Sequence, residues 1–184
     1  MFEIDFNVDD VKELLTVAER SVLPKATTRA LNKTIRRVQS QAVKIIAKNF
    51  GIVQKEIRPY LRIDKRATWS DLEASIEASG KRIPINKLKP KQTARGVTYR
   101  GRDGKRIEIP SAFIQVIRVQ DRAGVYKRRS KKRFPVSFLR TVSIPHVMIQ
   151  DAIAQAMQDV AIEAWGKNFP HEVEYALKQA GFVS

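Results

Sequence analysis

Cysteine is absent from the 184 residues, which excludes a disulfide framework, a thiolate metal site and a cysteine nucleophile together. That absence fits a reducing cytosol, and it fits an external particle equally well. No apolar run approaches the ~20 residues needed to span a bilayer. The opening residues, Met1-Phe2-Glu3-Ile4-Asp5, lack the basic-then-apolar pattern of a signal peptide, so a soluble, non-secreted protein is expected. No internal repeat, low-complexity segment, phosphate-cradling glycine loop or Ser-His-Asp grouping is present. What remains is a chain with 43% hydrophobic content, suited to a globular fold and long enough to bury a sizeable core. One domain over residues 1–184 is expected, with a helical part at 1–61, a β-rich basic middle at 62–144 and a helical part at 145–184.

The net charge of +16 is sorted into blocks. Residues 25–48 hold seven bases and no acid, residues 81–106 ten bases against Asp103, and residues 118–133 eight bases against Asp121. Both ends run the other way, with six acids to two bases in residues 1–24 and five to three in 134–184. Clustered excess makes a local field that attracts polyanions or acidic protein surfaces. Six charges stand within the seven residues 127–133, a run that repels itself unless a counter-surface neutralises it.

Asp9 and Asp10 before Val11, Leu14, Leu15 and Ala18 predict a short amphipathic helix with acids near its start. Pro24 then suits the first turn of a longer helix over about 25–48. Leu31, Ile35, Val38, Ala42, Ile45 and Ile46 share one arc of that helix, while Arg29, Lys33, Arg36, Arg37 and Lys44 share the opposite arc. Asn49-Phe50-Gly51 supplies a glycine stop. A shorter helical stretch follows around residues 54–61, interrupted by Pro59.

The period then changes to two. Leu72, Ala74, Ile76 and Ala78 alternate, as do Val97 and Tyr99, and Asp103-Gly104 marks a hairpin into Ile107-Glu108-Ile109. Residues 112–119 and 125–129 read as two more strands, split by 121–124. Pro84, Pro110, Pro135 and Pro145 predict short or edge strands. Residues 81–106, with the run Lys87-Leu88-Lys89-Pro90-Lys91, suit an arm or long loop.

Helical spacing returns after Pro145, with Ile149, Ala152, Ile153, Ala156, Met157, Val160 and Ala164 as an apolar stripe. Asn168-Phe169-Pro170 predicts a break before a last helix. Helices at both ends packed on a central basic antiparallel sheet make an α+β fold.

Chemistry-bearing patterns mostly fail. His171-Glu172 opens like a zinc-protease helix, but position 175 is tyrosine, and two histidines on one face are needed to hold the metal. A histidine and acid in a helix's first turn is the plainer reading. His146 has no acid cluster beside it. Gly101-Arg102-Asp103-Gly104 has the spacing of a backbone-clamping RNA loop, yet it lies between strand-like runs and reads as a β-turn. Glu108, Asp103 and Asp121 are scattered, and Asp64, Asp71, Glu73 and Glu77 read as a solvated face, whereas metal-dependent hydrolysis needs carboxylates converging on a cation. The expectation is no enzyme, no catalytic residue, no metal and no cofactor.

The candidate binding residues are therefore cationic: Arg36, Arg37, Lys65, Arg66, Arg100, Arg102, Lys127, Arg128, Arg129, Lys131, Lys132 and Arg133. Tyr126 and Phe134 could stack on bases or anchor strand ends in the core, and the core reading is preferred. With no recognition helix or zinc finger, nucleic acid would be held through phosphate, without sequence preference. A free, sequence-nonspecific nucleic-acid-binding protein is one class that fits.

A second class rests on resemblance. Ala30-Leu31-Asn32, Lys65-Arg66-Ala67-Thr68, the run from Leu72 to Ile76 leading into Ile83-Pro84-Ile85, Ile109-Pro110-Ser111-Ala112-Phe113-Ile114-Gln115, Arg133-Phe134-Pro135-Val136, and Phe169-Pro170-His171-Glu172 before Tyr175-Ala176-Leu177 recur in this order. The set resembles the minor tail protein Z family of lambda-like phages and prophages over nearly the whole chain. The resemblance implies a non-enzymatic tail-completion role at the head-proximal end of the tail. It implies neighbours among other tail or head–tail connector proteins, contact with the DNA end entering the tail, and a homo-oligomer in the virion assembled in the host cytoplasm. It carries no catalytic residues, and nothing is transferred to residues 1–24 or 81–106.

Overall fold

A computed structural model describes residues 16, 20, 22–101, 104–117 and 122–181, with the side chains of 117, 122 and 142 left aside. The predicted short helix at 9–18 lies outside the described residues apart from Thr16, and Asp103 of the predicted hairpin turn lies outside them too.

In chain order the elements are α1 (Leu23–Phe50), α2 (Gln54–Ile57), a 3₁₀ turn (Arg58–Tyr60), β1 (Leu61–Lys65), β2 (Ser75–Ala78), β3 (Arg82–Pro84), a second 3₁₀ turn (Ile85–Leu88) and β4 (Lys91–Gln92). They continue with β5 (Gly96–Arg100), β6 (Arg106–Pro110), β7 (Ala112–Ile117), β8 (Arg122–Arg128), β9 (Val136–Phe138), β10 (Arg140–Ser143), α3 (Ile144–Met148) and α4 (Asp151–Gln179). The class is α+β. Among the described residues the expected central sheet is instead four small ones: β1-β2, β10-β3, β4-β5-β6 and β7-β8-β9. Each pairing from β3 onward is antiparallel. Proline explains part of the fragmentation. Pro84 closes β3 and Pro110 closes β6, and neither can donate to a ladder that would extend the strand.

The predicted long helix is α1, closed by Gly51 at φ +61°, a left-handed geometry that favours glycine. Its buried positions are Ala26, Ala30, Thr34, Val38, Ala42, Ile46 and Phe50, with Val22 just before it and Val43 beside the series. Recurrence every four residues advances the stripe by about 40° per step, so it winds round the helix instead of staying on one arc. A fixed arc therefore missed Ala26, Ala30 and Thr34. It also placed Leu31 and Ile35 in the core, where the structure leaves them half-buried.

The chain divides into two compact units. The first comprises the described residues of Met1–Val38, Ile63–Ile76 and Gln158–Ser184. Val22, Ala26 and Ala176 are buried together, with Val173 and Leu177 against them. Polar ties join the chain segments. Asn32 donates its Nδ2 to the Ala67 carbonyl at 2.8 Å and accepts the Ala67 N–H at 3.2 Å. Asn168 donates to the Thr34 hydroxyl at 3.2 Å, and Lys33 pairs with the buried carboxylate of Glu172.

The predicted break at Pro170 does not occur, because α4 runs through it. Proline removes the bond to residue 166, but Gly166 and Pro170 are both exposed, so water can take the freed carbonyl. Glu172 accordingly sits well inside a helix, and not in the first turn that the sequence suggests.

The second unit comprises Gln39–Arg62 and Glu77–Met157. Its core contains Ile85, Val97, Ala112 and Val125, packed by Tyr99, Ile109, Ile114 and Leu139. Gly96 pairs with Pro110 at the end of the β5–β6 ladder. A Cβ on Gly96 would lie 2.1 Å from the Ile109 carbonyl oxygen, so only glycine lets the strands meet there. Gln92 laces the next sheet to this one, donating to the Gly96 carbonyl at 2.9 Å and accepting the Ile114 N–H at 2.9 Å.

Two strand boundaries differ from expectation. The β8 strand begins at Arg122, so Gly124 is inside it and not in the turn; a Cβ there would meet the Phe138 and Tyr126 rings at 2.8 Å. The β2 strand begins only at Ser75, leaving Leu72 exposed although it fits the alternation.

Asn32→Ala should lower unfolding free energy by about 1–3 kcal/mol, because it strands a backbone donor and acceptor at Ala67. Chemical denaturation of the full chain measures this, and an unchanged midpoint would show that the Asn32–Ala67 tie is not formed.

Candidate polyanion-binding surface

The two units divide the charge unequally. Residues 39–62 and 77–157 carry 24 bases and six acids, a net of +18, whereas the remainder carry 11 bases and 13 acids, a net of −2. The whole excess therefore belongs to the second unit. The basic block at 25–48, contiguous in sequence, is divided between them.

In the first unit the candidate cations stand among acids. Lys65 Nζ lies 2.7 Å from Asp71 and 2.6 Å from Glu73, and hydrogen bonds to these carboxylates, Asp71 first, raise its pKa above that of an ordinary lysine. Glu163 accepts a hydrogen bond from Lys167 at 2.6 Å, which holds its carboxyl below the usual range, with a weaker pull from Arg37. Arg37 and Lys33 line a concavity of about 340 Å³ with Glu163 and Lys167. Arg36 and Arg66 are exposed.

In the second unit the candidates stand among aromatics and amides. Lys127 and Arg128 end β8; Arg129, Lys131, Lys132 and Arg133 occupy the connection to β9, all exposed. Among the described residues none of these six has an ion-pair partner. Arg129 donates its Nε to the Ser137 hydroxyl at 2.7 Å. The Arg128 guanidinium lies 5.7 Å from the Phe113 ring centre and that of Arg133 lies 5.8 Å from the Phe134 ring centre, within reach of a cation–π attraction.

Two concavities flank this row. One of about 640 Å³ is lined by Gln92, Arg95, Phe113 and residues 127–131. The other, about 500 Å³, is lined by Phe113, Gln115, Val116, Arg128, Arg133, Phe134 and Val136. Arg100 is exposed at the end of β5 with its chain against Gly51. Arg102 lies outside the described residues.

Sequence reasoning treated Tyr126 and Phe134 alike, whereas the structure separates them. Tyr126 is 4% exposed and belongs to the core, as preferred; Phe134 is 62% exposed and does not. Strand register decides it, since Tyr126 pairs with Phe113 and Phe138 within the sheet while Phe134 precedes β9. Arg95 and Phe113 were not singled out as site residues, although Arg95 fell inside a basic block. Pairing of β7 with β8 opposes Phe113 to Tyr126, one residue from Lys127, which no local pattern reveals. Among the described residues no three His, Asp or Glu side chains gather as a metal ion would require, and no helix is long and apolar enough to cross a membrane.

A row of exposed cations on a small α+β scaffold is thus what the described residues bring together. The chain belongs to the family described as prophage minor tail protein Z (GPZ), whose sequence model matches residues 8–181. It is also 28% identical over 141 residues to the tail completion protein of Escherichia phage N15, covering 72% of this chain and 73% of that protein. No solved structure matches the chain.

Amine acetylation near pH 8.5, mapped by peptide mass spectrometry, should modify Lys131 and Lys132 before Lys65. Acylation needs the neutral amine, and the two carboxylates on Lys65 hold it protonated. Equal rates would mean that the Lys65 ion pairs are absent in solution.

Proposed function

We propose that the chain is a non-enzymatic structural protein of a phage or prophage tail, acting in tail completion at the head-proximal end. In this reading its second unit turns its basic surfaces toward DNA. Family membership and the N15 relative support the tail role, and the unit with 24 bases to six acids carries the DNA reading. A surface with that balance neutralises phosphate through released counterions and without reading base edges. Arg36, Arg37, Lys65, Arg66, Arg100 and Arg102 remain proposed contacts, with the row at 127–133 as the principal one. Copies of the chain and neighbouring tail or connector proteins complete the assembly, which forms in the host cytoplasm and persists in the virion.

Neutralising Lys127, Arg128, Arg129, Lys131, Lys132 and Arg133 together should weaken duplex binding and flatten its salt dependence. The log–log slope should fall by roughly 0.9 for each phosphate that the variant no longer neutralises. Unchanged affinity and slope would assign these charges to acidic protein neighbours. Deleting the gene from its phage should leave heads and tails that form but particles that fail to deliver DNA. Full infectivity, with the protein absent from purified particles, would favour the free nucleic-acid-binding alternative.

A further inference from the structure

The second concavity differs from an ordinary phosphate-binding surface in being half aromatic and aliphatic. Phe134 exposes 62% of its surface and, among the described residues, carries no stacked ring on either face; the Arg133 guanidinium is the group set against its ring. Exposing a phenyl ring to water costs free energy, which a stacked ligand would recover. Val116 is likewise more than half exposed beside it. Phe113 and Arg128 line both concavities, so the apolar pocket and the cationic row at 127–131 adjoin without a break. A ligand matching both must present flat apolar faces and regularly spaced negative charge together. Duplex DNA offers the charge but hides its base faces in the stack. An acidic polypeptide offers carboxylates but no flat faces at each step. An unpaired strand offers both.

We propose that the concavity bounded by Phe113, Val116, Arg128, Arg133 and Phe134 is a binding site for single-stranded DNA. One base stacks on Phe134, and the flanking phosphates lie along Arg128, Arg133 and the lysines at 127 and 131. Arg128 sits 5.7 Å from the Phe113 ring centre, which fixes a guanidinium plane beside the pocket without neutralising it. Bases are not identified, because a phenyl face accepts each of them alike. The inference rests on DNA being the neighbour of the basic unit, and it adds that an unpaired stretch, such as a strand end, is the part this pocket holds.

Fluorescence anisotropy on the full chain tests it, with a thymidine oligonucleotide, a duplex of equal phosphate count and polyglutamate as competitor. Phe134→Ala should weaken single-strand binding about tenfold and leave the salt slope unchanged, because the slope counts phosphates. Phe134→Trp should restore the affinity, and duplex binding should be unaffected by either change. Phe134 is exposed, so these variants should keep the parent's unfolding midpoint.

Unchanged single-strand affinity in Phe134→Ala, an equal loss on duplex, or polyglutamate displacing the oligonucleotide at matched charge would each overturn the site. The six-charge variant separates the two readings. If it still binds both DNAs with the original slope, the row at 127–133 is not the DNA contact, and that reading and the stacking site fail together. If it loses both while Phe134→Ala binds normally, only the stacking site fails.

Discussion

The feature on which the rest depends is the repulsion among 24 bases opposed by only six acids within one compact unit. Like charges on a small surface raise the free energy of the compact state, and salt screens them only beyond about 8–10 Å. Successive members of the run Lys127, Arg128, Arg129, Lys131, Lys132 and Arg133 are closer than that along the chain, and no carboxylate is paired with any of them among the described residues. Core burial around Ile85, Val97, Ala112 and Val125 must offset the repulsion while the protein is free. An external anion would relieve it, so neutralisation by a partner stabilises the fold and the complex together.

The other unit handles charge by the opposite route. Lys33 and Glu172, Lys65 with Asp71 and Glu73, and Lys167 with Glu163 satisfy one another internally. In the basic unit Lys87 pairs with Glu56, but around the row at 127–133 rings take the place of acids. Arg128 over Phe113, Arg133 over Phe134 and Arg140 over Phe138 order the guanidiniums while leaving their net charge intact. A carboxylate partner would order them too, but would cancel the field that recruits a polyanion. The choice of partner thus sets how much of each cation's field is left for an external anion.

Much of the fold was legible because it is written in local periodicity. The long helix, its glycine stop, the hairpin around Val97 and Ile109, and the late return of helix all follow from spacing. What was not legible depended on tertiary context. Pro170 reads as a break, yet its carbonyl partner at Gly166 is exposed, and the helix continues. A four-residue burial stripe of small residues, Ala26, Ala30 and Thr34 among them, carries too little hydrophobicity to outweigh Leu31 and Ile35 on a wheel.

The charge runs were plain, but their assignment was not. Arg37 and Lys65 look like Arg128 in sequence, and only the fold brings Glu163 to one, Asp71 and Glu73 to the next, and a phenyl ring to the third. Part of the family signal was carried by segments that turn out to be structural. Asn32 and Ala67, from two of them, meet directly. Ser111, in another, holds the positive-φ corner between β6 and β7.

Ultraviolet crosslinking of intact, purified particles, followed by mapping of the protein peptides joined to nucleotide, would test most directly whether the basic unit faces DNA. The account predicts nucleotide adducts within residues 81–135, including Phe134, and few in the charge-balanced unit. Protein in the particle without nucleotide adducts, its residues 127–133 joined instead to acidic segments of neighbouring proteins under chemical crosslinking, would contradict it.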